Sequence, residues 1–282
     1  MPMPIADSDH TTIRVLFPQG KRKALVLSYD DGSEHDRRLV ALLNEYGLRA
    51  TFHLNSGVLD SVHHIASREL PTLYRGHEVA AHGVNHLDLT TLSNEAIDRE
   101  VGDDQKALED RVGAPVRGFA YPFGAHDERT IERLSALGLA YGRTIHTTAG
   151  FGLPERPLAL GTSCHHNQAL ALGQRFLEQD GEQPALFYVW GHSYELDGFM
   201  SADPRKDWRY LEDFCRLMHV RPEIYYATTL DVLDYLTAVK ALGGWSMTGP
   251  VHNDSKRTIW LSCGGQWVEL AAGETFGRSD ET

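Results

Sequence analysis

Two adjacent carboxylates at Asp30 and Asp31, two histidines four residues apart at His82 and His86, and a further histidine at His192 are the side chains here whose types and spacing could do chemistry. An i, i+4 spacing on a helical turn aims both imidazoles the same way, so His82 and His86 read as two ligands to one cation. A carboxylate is the natural third ligand, and the Asp30-Asp31 pair offers one. In an extended segment the two carboxylates diverge, so one ligates while the other faces a water on the metal. A divalent ion held this way lowers the pKa of that water, polarises a carbonyl and stabilises the oxyanion, while the free carboxylate acts as general base.

These residues need a scaffold that brings them to one rim. Apolar runs at 24–29 (ALVLSY), 50–54 (ATFHL), 77–81 (HEVAA), 117–121, 140–145, 158–162, 185–190 (ALFYVW) and 224–228 read as strands. Amphipathic stretches at 37–46, 93–112, 128–137, 167–178, about 205–219 and 229–240 read as helices, and a short one is expected at 69–74. Ser93 is a suitable N-cap and Gly113 a stop for the clearest of them. Strand–helix alternation implies parallel strands, either in a (β/α) barrel or in an open doubly wound sheet. Functional groups then collect at strand C-termini. Asp30-Asp31-Gly32, His82 to His86, Tyr121 to Gly124, Arg143, and Gly191 to Ser193 all follow predicted strands. Residues 1–20 read as an N-terminal extension and 21–244 as the catalytic domain. Residues 245–282 read as a small β appendage, a hairpin around Gly264-Gly265 with an acidic tail, which is a candidate contact between copies.

Composition narrows the class. The 282 residues carry 27 Lys and Arg against 39 Asp and Glu, a formal net charge of −12 that disfavours nucleic acid and anionic membrane as partners. The three cysteines form no CxxC, and the start of the chain lacks a basic, apolar signal, so a cytoplasmic location is expected. No apolar run approaches the roughly 20 residues that span a bilayer.

At the chemical residues the chain resembles the polysaccharide deacetylase family, the NodB-homology group also called carbohydrate esterase family 4. Ser28-Tyr-Asp-Asp-Gly32 is similar to its TFDDG motif, Ala50-Thr-Phe-His53 to its ATFF stretch, and His82-Gly-Val-Asn-His86 to H-[ST]-x-x-H, with Gly83 in place of the hydroxyl residue. Ala120-Tyr-Pro-Phe-Gly124 resembles R-x-P-[YF]-G, and His192 the histidine that follows a late strand. The resemblance spans roughly residues 20–240 and implies a distorted (β/α)7 barrel. It implies Asp30 as base, and Asp31, His82 and His86 as ligands to a divalent metal, usually zinc, with cobalt or another ion as an alternative. It further implies an oxyanion donor at the Phe123 N–H and His192 as the acid that protonates the leaving group.

Two departures stand out. Ala120 occupies the place of the arginine that pairs with the base, and Arg143 is proposed to reach the same point. No D-x-x-D-W motif lies between Gly124 and His192, so what orients His192 is open, with Glu195 and Asp231 as candidates. Tyr121, Trp190 and Tyr194 are candidate substrate-binding aromatics, and Trp208 and Tyr210 are weighed alongside them. Cys164-His165-His166 is read as structural.

The expected activity is removal of N-acetyl or O-acetyl groups from a carbohydrate. The alternatives are hydrolysis of a small amide or cyclic imide, and non-catalytic carbohydrate binding.

Overall fold

The computed structural model describes residues 13–181, 183–200, 203, 205–243, 250–263 and 266–277. Its strands and helices run, in chain order, β1 (Ile13–Leu16), β2 (Lys23–Asp30), α1 (Asp36–Glu45), β3 (Ala50–Leu54), α2 (Leu70–Leu73), β4 (Glu78–Ala81), α3 (Asn94–Val112), β5 (Gly118–Ala120), α4 (Glu128–Ala136) and β6 (Tyr141–Thr147). They continue with β7 (Leu160–Thr162), β8 (Cys164–His165), α5 (Ala169–Glu178), β9 (Ala185–His192), α6 (Trp208–Met218), β10 (Ile224–Ala227), α7 (Thr229–Lys240), β11 (Leu242–Gly243), β12 (Val251–Asn253), β13 (Ile259–Cys263), β14 (Gln266–Leu270) and β15 (Thr275–Phe276).

Strands β2 to β9 form one sheet in the order β7-β6-β5-β4-β3-β2-β9-β8. All of its pairs are parallel. Only Ser163 separates β7, paired with β6, from β8, paired with β9, and the Ser163 N–H donates to the Tyr188 carbonyl at 2.7 Å. The two ends of the sheet are therefore one bent run of chain, and the sheet is a closed barrel of seven strands, not an open one. The barrel is distorted because β6 reaches β7 through a loop and a 3-10 turn rather than an α-helix. β10 pairs with the first half of β2, beside the ring.

The full register of β2 on β9, from Lys23 opposite Ala185 to Asp30 opposite His192, puts those last two residues level at the rim. Asp30 is also level with His53 on β3.

The seven central residues of β2 that follow Lys23 are all buried, as expected of a strand covered on both faces. Outside the barrel, apolar helix faces cover it. In α3 the Ser93 Oγ accepts the Ala96 N–H at 3.3 Å, Ile97, Val101 and Leu108 are buried, and Gly113 terminates the helix at φ 70°. Inside, the side chains are largely polar and bond across the lumen between strands that are not neighbours, such as His53 on β3 with Tyr141 on β6.

The predicted C-terminal hairpin is present as antiparallel β13 and β14. β1 adds to β13, so the chain before residue 20 and the C-terminal segment share one three-stranded sheet. Residues 1–12 of the expected N-terminal extension, and residues 244–249, Gly264-Gly265 and the tail 278–282 of the expected C-terminal appendage, lie outside the described residues. No helix among the described residues is long and apolar enough to cross a membrane.

Candidate active site

Asp30 is the last residue of β2, and the chain then turns through Asp31 at φ 78° and Gly32 at φ 64°. A left-handed backbone is costly for aspartate. Here it swings the second carboxylate away from the first, so the divergence comes from a turn and not from extended chain. The Asp31 N–H still extends the ladder, donating to the His53 carbonyl at 2.9 Å.

His82 follows β4. Its Nδ1 donates to the Ala120 carbonyl at 2.7 Å, which leaves the Nε2 lone pair facing Asp31 Oδ1 at 3.5 Å. His86 Nε2 lies 3.8 Å from the same oxygen, and the two imidazole centroids are 4.7 Å apart. The expected helical turn is absent. Residues 82–86 are an irregular loop with Gly83 at φ 85° and His86 at φ 57°, and those two left-handed residues fold the second histidine back beside the first.

The loop is fixed from α3. Asp104 Oδ2 accepts the N–H groups of His82 and Gly83, both at 2.9 Å, and Glu100 Oε2 accepts Asn85 Nδ2 at 2.9 Å. Asn55 Nδ2 donates to the carbonyls of His82 and Gly83. A Cβ at Gly83 would stand 2.9 Å from Glu100 Oε1, on a backbone that side chains avoid. A hydroxyl residue at this position would be strained by the left-handed backbone and would have to displace the carboxylate that holds the loop.

Asp30 is 2% exposed. Arg143 Nη2 pairs with its Oδ2, and His53 Nδ1 lies 3.2 Å from its Oδ1. Burial alone would raise the Asp30 carboxyl, but Arg143 and then His53 outweigh it and hold the group well below the usual range.

His192 Nε2 faces both aspartates at 3.9 Å, while its Nδ1 donates to Glu195 Oε1 at 2.9 Å. Burial would lower the His192 pKa, but Glu195, Asp30 and Asp31 raise it above its ordinary value. Of the two candidates for orienting His192 the geometry selects Glu195, since Asp231 is paired with Arg49 and caps α7. Glu195 Oε2 also lies 3.0 Å from Nε2 of both His165 and His166.

Among the described residues two groups have metal-ligand chemistry, Asp31/His82/His86 and His165/His192/Glu195. Their spacing separates them. Ligands about 2.0–2.2 Å from a tetrahedral ion stand roughly 3.3–3.6 Å apart. The 3.5 and 3.8 Å gaps around Asp31 Oδ1 suit that, whereas the 2.9–3.0 Å separations around Glu195 are hydrogen bonds. With the His82 tautomer set by Ala120, the first group fits a divalent cation with an open outer face.

A cavity of about 650 Å³ opens beside this group and is lined by Asp31, His86, Tyr194, His35, Phe199 and Met200, among others. Phe123, at φ 58°, lies with its ring edge-on to His86 at 4.6 Å. Tyr194 belongs to the cavity, and its hydroxyl donates to Asp31 Oδ2 at 3.1 Å.

The other two predicted substrate aromatics do not line it. Tyr121 is 1% exposed, and its hydroxyl donates to the Leu158 carbonyl. Trp190 lies 5.0 Å beneath the Arg143 guanidinium and edge-on to His165, so it supports the site from within. Trp208 is core, and the Tyr210 hydroxyl is bonded to Asn167 and Leu170.

Sequence reasoning missed His53, and it missed Asp104 and Glu100. The latter pair had a signal, two acids four apart on the otherwise apolar face of α3.

Residues 18–142 match a family model described as polysaccharide deacetylase. Chitin deacetylase 1 of Cryptococcus neoformans var. grubii is 33% identical over 115 residues, 40% of this chain and 24% of that protein. YxkH of Bacillus subtilis, provisionally named a polysaccharide deacetylase, is 23% identical over 124 residues, 43% of this chain and 44% of that one. The matched segment is thus less than half of either relative's own length. A Mycobacterium smegmatis structure, also provisionally named a polysaccharide deacetylase, aligns over 80% of this chain and 94% of its own with TM-score 0.60 and 18% identity, a likeness of fold.

Proposed function

Through residues 18–142 the chain belongs to the polysaccharide deacetylase family, and from that premise we propose that it is a metal-dependent hydrolase of acetyl groups on a carbohydrate. The observation that carries this reading is the convergence of three ligand atoms around an open face, with a buried, arginine-paired carboxylate and a glutamate-oriented histidine beside it.

Asp31, His82 and His86 would hold the cation, zinc or another divalent ion. When bound it supplies Lewis acidity, acidifying a water and drawing charge from the acyl oxygen. Asp30, kept ionised by Arg143, takes the proton of the attacking water. The Phe123 N–H faces the developing oxyanion. His192, its pKa raised by Glu195 against the effect of burial, gives its Nε2 proton to the leaving nitrogen or oxygen. Tyr194 fixes the Asp31 carboxylate and forms one wall for the sugar.

One feature supports the alternative of a smaller amide substrate. Part of the cavity lining is apolar, with Phe199 and Met200 exposed by 65% and 76%.

The test is acetate release by chelator-stripped and by zinc- or cobalt-loaded protein from chitooligosaccharides, peptidoglycan fragments and acetylated xylan, with small amides in parallel. Metal-dependent acetate from a glycan is the expected result. Turnover of small amides alone would replace the glycan reading with the smaller-substrate one.

A further inference from the structure

The lumen below the rim holds polar side chains that the reaction above does not use. His53 Nδ1 lies 3.2 Å from Asp30 Oδ1 and 3.3 Å from Ser28 Oγ, and its Nε2 lies 3.1 Å from the Tyr141 hydroxyl. That hydroxyl lies 2.9 Å from Glu78 Oε1. His53 and Tyr141 are fully buried, and Glu78 is 9% exposed. The chain of contacts crosses the barrel from the rim to the N-terminus of α7. We propose that His53 is a positioning residue for Asp30 and that a proton on Glu78 sets the direction of the hydrogen bonds through which it acts. The bearing on turnover rests on Asp30 as the base; the hydrogen-bond relay does not.

A neutral imidazole has one N–H, and a phenol has one O–H. If Glu78 is a carboxylate it can only accept, so Tyr141 donates to it and the Tyr141 oxygen accepts from His53. The His53 proton is then on Nε2, and the Nδ1 lone pair is left to the Ser28 hydroxyl at 3.3 Å, so that His53 offers no donor to Asp30 Oδ1, an oxygen without another partner. If Glu78 carries a proton, it donates to Tyr141, Tyr141 donates to Nε2, and the imidazole proton moves to Nδ1, where it lies between Asp30 Oδ1 at 3.2 Å and Ser28 Oγ at 3.3 Å. One proton at Glu78 thus decides whether the base has a second donor beside Arg143.

The surroundings of Glu78 suit the protonated form. Its Oε2 accepts from Thr51 Oγ1 and from the Leu230 N–H, both at 2.9 Å, as the carbonyl oxygen of an acid would, while Oε1 meets Tyr141. Facing it are Thr51 from β3, Tyr141 from β6, Tyr188 from β9, and Thr228 and the Leu230 N–H at the start of α7. No cationic side chain is among its contacts within the described residues. Burial pushes the Glu78 carboxyl up to about 7, against the opposing hydrogen bonds. Burial also keeps the His53 imidazole below its ordinary value, hence neutral.

The test reads the His53 tautomer directly, by imidazole nitrogen–proton correlation NMR of metal-loaded protein at about pH 5.5 and about pH 8.5. The expected result is Nδ1–H at the lower pH and Nε2–H at the higher, with Glu78→Gln holding Nδ1–H at both, because the Leu230 N–H keeps the amide oxygen at the Oε2 position and leaves the NH2 to donate to Tyr141. A wild-type tautomer that does not change, or a change that survives Glu78→Gln, overturns the relay. For positioning, His53→Phe is expected to lower kcat about tenfold or more at unchanged KM. His53→Asn, whose amide can donate toward Asp30, recovers most of that loss. Equal kcat in the two variants overturns the positioning role. A tautomer switch in a protein that releases no acetate from any substrate would remove the deacetylase reading and leave the relay standing.

Discussion

The guanidinium of Arg143 on β6 closes on the carboxylate of Asp30 on β2 across the sealed interior of the barrel, both side chains being at most 3% exposed. An arginine from a neighbouring motif is not required when one from a strand across the lumen reaches the same oxygen. Arg143→Ala leaves Asp30 buried without its cation, which typically costs about 3–5 kcal/mol. Because Arg143 holds the Asp30 carboxyl down, its removal raises that pKa, so the acid limb of the rate profile moves to higher pH. A pH–rate profile and a denaturation curve on the variant check both effects.

Glu195 receives three imidazoles, and the one that matters to turnover is His192. With Glu195→Gln the His192 pKa falls, because burial lowers it and Glu195 is the leading opposing influence. An acid that must be protonated then loses its proton earlier, and the alkaline limb moves to lower pH. The loss in kcat is expected to be at least tenfold, part of the about 10²–10⁴ that general acid–base catalysis supplies. An alkaline limb that does not move would remove His192 from the acid's role.

Gly83 offers a test of the loop. Gly83→Ser restores the hydroxyl of the resembling motif, yet it places a Cβ at φ 85° and 2.9 Å from Glu100 Oε1. The expected cost is roughly 1–2 kcal/mol from the left-handed backbone alone, with weaker zinc binding because the two histidines ride on this loop. Calorimetric titration with zinc and thermal unfolding of the variant measure the two effects.

How much of this was legible in the sequence differs by residue. The strands with long apolar runs, β2 and β9 above all, were plain because both faces are covered. β1 was not, because four residues suffice when the partner strand lies more than 240 positions away. The His82–His86 pair was found by a spacing rule that assumed a helix; the same spacing works here through two left-handed residues, which no periodicity reveals. Tyr121 and Trp190 were misplaced because strand ends alternate between lumen, rim and core, and the barrel's twist decides which. His53 reads as core in an apolar strand until Tyr141 and Glu78, on other strands, come into contact.

Buried Glu78 also has a linkage signature. Its folded pKa of about 7 exceeds the ordinary 4.5, so the fold favours the protonated form. Its contribution is full below about pH 4.5, is lost as pH rises from there to about 7, and is constant beyond; the total is on the order of 3 kcal/mol at most. Thermal unfolding of Glu78→Gln against wild type should show a stability difference that grows in favour of the variant across that window and then levels off.

The central claim is that Asp31, His82 and His86 hold the metal while Asp30 acts on the water. The most direct measurement pairs cobalt titration by absorbance with acetate release in wild type, Asp30→Asn and His82→Ala. The account predicts that Asp30→Asn binds cobalt as wild type does while its turnover drops by about 10² or more, and that His82→Ala loses both. An Asp30→Asn protein that turns over normally, or a His82→Ala protein with undiminished cobalt affinity, would contradict it.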